Sequence, residues 1–198
     1  LQITVGTPEE LIRMMEHDQL DIIYILDATR WSESWVKAME VAEPVVFVAS
    51  PAFWAQKYAE CEKNGTVKWR TKTVGQEEIS VRWITLDQIL QEPFFLTEKN
   101  ANYRQALDQH LASCRCCLSP VLEISDTAFI IQMLERNCGL SFLPLFAVQK
   151  QIWEGTLAAV EVDDVEISMY RQIFYHKNKF RTREMEQFIT FASEEENH

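Results

Sequence analysis

Four short apolar runs dominate this sequence: 21–26 (DIIYIL), 44–49 (PVVFVA), 93–97 (PFFLT) and 140–143 (LSFL). Each is too short for a helix that buries one face, and none alternates as a strand with one wet face does. Runs of this kind suit strands covered on both sides. Between them lie segments whose apolar residues recur at helical spacing. Leu11, Met14 and Met15 follow Thr7-Pro8-Glu9-Glu10; Tyr103, Leu107, His110 and Leu111 share one face of 102–113; Phe129, Ile130, Met133 and Leu134 follow Ser125-Asp126. Buried strands alternating with amphipathic helices predict an α/β fold with a mainly parallel sheet.

Local signals set the expected boundaries. Residues 1–5 (LQITV) alternate like a half-buried strand that breaks at Gly6. Thr7 is placed to cap a helix over 8–18, with Pro8 at its first position and Glu10 completing a capping box. The stretch between 26 and 44 reads as a loop. Helix is expected over 53–62. A hairpin arm over 66–73 closes near Gly75, 80–84 is its partner or another short strand, and Thr85 caps a short helix over 85–90. Residues 121–124 are a strand, and Ser125-Asp126 caps the next helix. Asn137-Cys138-Gly139 stops that helix with Gly139 in the left-handed conformation. Pro144 halts the run LSFL, helix 146–153 ends at Gly155, strands fill 157–162 and 167–176, and a helix closes the chain over 181–193.

Charge and composition exclude several functions. A net charge of −11, with only 63–72 locally basic, argues against nucleic-acid binding by this chain. No apolar stretch reaches the roughly 18 residues of a membrane span. No export signal opens the sequence, and five cysteines, an odd number, fit a reducing cytoplasm. His110, Cys114, Cys116 and Cys117 form the densest cluster of metal-binding residue types, but C-x-C-C is not a zinc spacing and no second ligand pair follows. A redox role for these thiols, with Arg115 lowering a neighbouring pKa, stays open beside the plainer reading of free thiols at a helix end. Phosphate-binding loops, nucleophile elbows and dinucleotide fingerprints are missing, so no catalytic residue, metal or cofactor is expected.

In open α/β sheets, ligands lie beyond the carboxyl ends of strands, where loops lead into helix N-termini. Three such junctions are legible: Val5-Gly6-Thr7, the stretch 97–102, and Ile124-Ser125-Asp126. They make Thr7, Thr97, Asn100, Tyr103, Ser125 and Asp126 candidate ligand contacts, although Thr7 and Ser125 serve equally as helix caps and Tyr103 as core packing. Asp126 would repel a carboxylate or select an amine. Arg30, after the run DIIYIL, is either a carboxylate clamp or a solvated loop residue.

Four phrases in order carry a resemblance across nearly the whole chain. Gly6-Thr7-Pro8-Glu9-Glu10-Leu11 is followed by Leu20-Asp21-Ile22-Ile23; Phe95-Leu96-Thr97-Glu98-Lys99 by Tyr103-Arg104 and Leu107-Asp108. Then come Glu123-Ile124-Ser125 and Cys138-Gly139-Leu140-Ser141-Phe142-Leu143-Pro144. Together they resemble the effector-binding domain of LysR-type transcription regulators. The resemblance implies a two-lobed, type II periplasmic-binding-protein-like fold. Lobe I would be 1–49 plus 166–198, without its first strand and helix, and lobe II 50–165, with hinge strands near 46–50 and 162–168. It adds Phe142 and Pro144 to the cleft. The expected function is binding of a small anionic or polar effector between the lobes of a cytoplasmic regulator. That regulator would form a dimer or tetramer through this domain and would hold DNA only through an N-terminal domain outside this chain. A solute-binding receptor of a transporter, or an enzyme on a related fold, is the alternative.

Overall fold

The computed structural model describes residues 2–65, 68–74, 77–163, 165 and 167–194, with backbone alone at 68–74, 77–82, 168 and 194. In chain order the first elements are α1 (Pro8–Glu16), β1 (Ile23–Asp27), β2 (Trp35–Ala49), α2 (Pro51–Lys63), β3 (Lys68–Val74), β4 (Glu77–Thr85) and α3 (Leu86–Ile89). There follow β5 (Phe95–Leu96), α4 (Asn102–Ser113), β6 (Leu122–Glu123), α5 (Thr127–Glu135), β7 (Leu140–Pro144) and α6 (Leu145–Glu154). The last are β8 (Ala158–Val160), β9 (Val162–Asp163), β10 (Ser168–His176) and α7 (Arg183–Glu194). The chain forms two compact units, one of Leu1–Glu43 with Ser168–His198 and the other of Pro44–Ile167. No helix among the described residues is long and apolar enough to cross a membrane.

In the first unit, α1 starts as the sequence predicts. Thr7 Oγ1 accepts from the Glu10 amide at 3.3 Å, and the Glu10 carboxylate accepts from the Thr7 amide at 2.9 Å. Leu11 and Met15, one turn apart, are buried against Ile23, Ile25 and Phe174. β1 pairs antiparallel with β10, setting Ile23 opposite Phe174 and Ile25 opposite Gln172. β10 also neighbours β2. Three expectations change here. The run DIIYIL is covered on one face only, with Tyr24 42% exposed, because its partner is a distant antiparallel strand. Gln2 to Val5 form no strand, and Ile3 and Val5 stand 78% and 93% exposed. The stretch expected as a loop is largely strand, since β2 already begins at Trp35. Its residues Val36 to Glu43 never alternate cleanly in polarity, so no period of two betrays them.

Pro44 lies inside β2, at the boundary between the units. Proline has no N–H to give a ladder and is tolerated where pairing is interrupted. Beyond it, Val45 to Ala49 pair antiparallel with β7, and Phe47 to Ala49 with β8.

In the second unit, parallel pairing occurs between β4 and β9 and among β5, β6 and β7. β5 pairs parallel with β6 (Leu96 opposite Glu123), and a single parallel bridge joins Phe94 to Leu140 of β7. The helices α4 and α5 make the crossovers. Antiparallel pairing nonetheless prevails across the chain, in β1 with β10, β2 with β7 and β8, and β3 with β4, so the expected mainly parallel sheet is corrected to a mixed one. One core cluster gathers Phe47, Ile84, Ile89, Phe94, Leu107 and Phe142; the other gathers Val48, Ile130, Leu134, Leu143 and Val148. Each large apolar side chain so covered contributes about 1.5–3 kcal/mol relative to exposure. The turn expected near Gly75 lies outside the described residues, as do Leu1, Asp164 and Glu166.

The stop after α5 is also corrected. Asn137, not Gly139, takes the left-handed conformation, at φ 61°. Gly139 is needed for a different reason: a Cβ there would lie 2.1 Å from the Pro93 carbonyl oxygen. That close approach lets Leu140 N–H donate to Pro93 at 3.0 Å, stitching β7 to β5.

Candidate functional site

Because β5, β6 and β7 run in one direction, their carboxyl ends share one edge of the sheet. Thr97 follows β5, Ser125 and Asp126 follow β6, and Phe142 and Pro144 belong to β7 itself. Asn100 sits exposed in the turn after Thr97, and Tyr103 lies in the first turn of α4. Seven of the sequence candidates thus come from three adjacent parallel strands. Thr7 belongs to the other unit, where it caps α1.

The chemistry at this edge is uneven. Thr97 is buried, and its hydroxyl makes no hydrogen bond of good geometry. A buried hydroxyl left this way costs about 1–3 kcal/mol. The Tyr103 ring packs against both core clusters. Burial pushes its phenol pKa up, and the nearby Thr97 hydroxyl draws it partly back. Asp126 caps α5, accepting from the Phe129 amide at 3.1 Å. Ser125 is exposed and has no such bond, so the cap falls to Asp126 alone. Pro144 is buried and precedes α6; Phe142 is buried with its ring 4.8 Å from that of Phe47.

Arg104, which the sequence reading passed over except as part of a phrase, ties this edge together. Its side chain is 2% exposed. It donates to the Thr97 carbonyl at 3.1 Å and to Asp108 at 3.0 Å, and it lies 3.3 Å from the Glu123 carboxylate. One guanidinium therefore bridges the end of β5, a turn of α4 and the end of β6, using the fork geometry that suits arginine to several oxygen acceptors.

Arg30 is not an open carboxylate clamp. It already pairs with Asp27 at 2.5 Å and Glu9 at 2.7 Å. Burial opposes its charge, but those two carboxylates prevail and raise its pKa. In the thiol cluster, His110 Nε2 lies 3.8 Å from Cys114 Sγ. Burial, with Asp87 and the neighbouring Cys114 and Cys117, holds the Cys116 thiol above its ordinary value. All five cysteines are free, and among the described residues no group of three His, Cys, Asp or Glu side chains is placed to hold a metal.

The second unit also contains a cavity of about 790 Å³. Its apolar wall includes Val45, Phe47, Phe142 and Val160, and Trp83, His110, Glu161 and Asp163 complete its chemistry. The volume falls in the range of about 300–1,000 Å³ that small-molecule sites occupy. Only Phe142 among the sequence candidates lines it. In sequence, Glu161 and Asp163 continue the period-two positions of Leu157 and Ala159, whereas in the structure Glu161 lies between β8 and β9 and Asp163 ends β9. That alternation was available as a signal, yet the pair Asp163-Asp164 reads in isolation as solvated surface. His110 sits on the apolar face of α4, where an imidazole is as readily core as ligand contact.

The LysR substrate binding domain family matches residues 80–197. The HTH-type transcriptional activator CmpR of Synechocystis sp. (strain ATCC 27184 / PCC 6803 / Kazusa) is 26% identical over 96 residues, 48% of this chain and 32% of CmpR. The chain spans about a third of the length of the curated relatives it matches. Among solved structures, the regulatory domain of HypT from Salmonella typhimurium superposes with a TM-score of 0.60 at 15% identity, covering 94% of this chain and 77% of that one. The CcmR regulatory domain of Synechocystis PCC6803, in complex with 2-PG, gives a TM-score of 0.64 at 14% identity, covering 96% and 80%. The fold is therefore the mixed α/β architecture of two-lobed LysR regulatory domains.

Proposed function

We infer the function from the family: this chain belongs to the LysR substrate binding domain family. It is the effector-sensing part of a transcription regulator, binding and releasing a small metabolite without transforming it. The observation that carries this reading is the 790 Å³ cavity, which joins aromatic and aliphatic walls to a few polar groups. The CcmR regulatory domain, solved with 2-PG, supplies a precedent on the same fold. The ligand contacts proposed from sequence are Thr97, Asn100, Tyr103, Ser125, Asp126, Phe142 and Pro144 at the strand ends of the second unit and Thr7 at the head of α1; of these, Phe142 lines the cavity. The lobes are proposed, as from sequence, to be 1–49 with 166–198 and 50–165, with hinge strands near 46–50 and 162–168. In the cytoplasm the whole regulator is a dimer or tetramer, and DNA is held by a part of it outside this chain.

A ligand can shift such a domain only by its difference in affinity for two arrangements. The test is a metabolite panel read by thermal shift, with any hit followed by calorimetry and by NMR of the ligand. The expected result is one class of compound that stabilises the protein and emerges chemically unchanged. At a hundredfold excess over Kd, stabilisation is about 2.7 kcal/mol. A ligand consumed by the protein would replace this reading with an enzymatic one.

A further inference from the structure

We propose that the cavity of the second unit recognises an organic ammonium ion, a ligand carrying a positively charged nitrogen on an apolar body. This rests on the effector-binding reading and names its ligand class.

The cavity is built in two parts. Its floor is a cross-strand row on three paired strands: Phe142 of β7 stands opposite Phe47 of β2, which stands opposite Val160 of β8. The two phenyl rings, 4.8 Å apart and tilted by 48°, form a bent aromatic surface, and Trp83 adds an indole to the wall. A strand ladder fixes these side chains, so the floor is pre-formed. The rim is acidic. Glu161 directly follows Val160, and Val162-Asp163 pair with Ile84-Thr85 of β4, next to Trp83. Glu161 and Asp163, each of which also has a partner within the chain, therefore line one cavity with three aromatic residues, and no lysine or arginine occurs among the described residues of the wall.

Aromatic faces attract cations through the ring quadrupole, and cages of rings with carboxylates recognise alkylated or primary ammonium groups. Among the described residues of this wall an anionic ligand would meet no lysine or arginine. The field of the whole chain adds a second argument. At a net charge of −11 it draws cations and opposes anions, most strongly in a cleft walled by low-dielectric side chains. His110 adds an imidazole to the same cavity.

Three probes on one phenylpropyl skeleton and of different charge test the proposal by calorimetry on the full chain: 3-phenylpropan-1-ammonium, 3-phenylpropan-1-ol and 3-phenylpropanoate. The expected order is ammonium, then alcohol, then carboxylate, with about a tenfold step in Kd between the first two, the scale of one desolvated cation–π or charge-assisted contact. Added salt should weaken the ammonium and leave the alcohol unchanged. Asp163→Asn and Glu161→Gln should each abolish most of that step while leaving alcohol binding in place. Glu161 is exposed, so its variant tests the rim even if Asp163→Asn does not fold. The carboxylate binding as tightly as the ammonium, or variants that leave the order intact, would overturn the proposal. If an anionic metabolite stabilises the protein in the panel above, the ligand class fails and the sensing function stands. If neither panel nor probes bind, both fail.

Discussion

Thr97 holds a hydroxyl in a buried place without a good partner at the carboxyl end of a parallel strand, a place where sheets of this kind receive ligands. If that hydroxyl serves the effector, the empty protein bears its cost. Thr97→Val keeps the shape and removes the stranded group, so the variant should be as stable as the parent or gain about 1 kcal/mol, and should lose effector affinity. Urea unfolding and calorimetry on one preparation check both; lower stability with unchanged affinity would make Thr97 a structural residue. Single residues also show where sequence reading stops. That the chain near 137–139 needs a special backbone was legible from Asn137-Cys138-Gly139. Which residue bends was not, because the reason Gly139 lacks a side chain is Pro93, forty-six positions earlier.

At the scale of elements, helices were read closely because their signals are local. α4 occupies the residues its spacing predicted, and α1 opens on its predicted box. Strand partners were not legible, since the mate of β1 lies in β10 and nothing in DIIYIL distinguishes an antiparallel partner from a parallel one. The cavity suffered for the same reason: Glu161 and Asp163 become neighbours of Phe47 only through pairing. The head of α1 yields a pH dependence. Hydrogen bonds from the Thr7 backbone, then its side chain, hold the Glu10 carboxyl below its ordinary 4.5. The unfolded chain thus takes up that proton more readily than the folded one. The stabilisation is complete above 4.5 and is lost as pH falls through the depressed value. Glu10→Gln, which keeps a capping acceptor but does not titrate, should show a flatter fall of melting temperature below pH 4.5 than the parent. Parallel curves for the two would remove Glu10 from the account.

The whole molecule is unequal in its connectivity. The second unit is a continuous stretch, Pro44–Ile167, with both of its core clusters inside it, whereas the first needs segments from the two ends. A fragment of residues 44–167 should therefore unfold cooperatively in urea with dispersed amide NMR signals, and a first-unit fragment lacking 168–198 should not, because β1 and Phe174 would be parted. A disordered 44–167 fragment would show that the units fold only together. The same asymmetry bears on synthesis. Ile23 leaves the ribosome about 150 residues before its partner Phe174, an interval of roughly 8–30 s at about 5–20 residues per second. Through that time, while the second unit is still being made, the nascent chain carries an unmated strand edge and the greasy stripe of α1, so holding chaperones have their window on residues 8–27 rather than on 168–176.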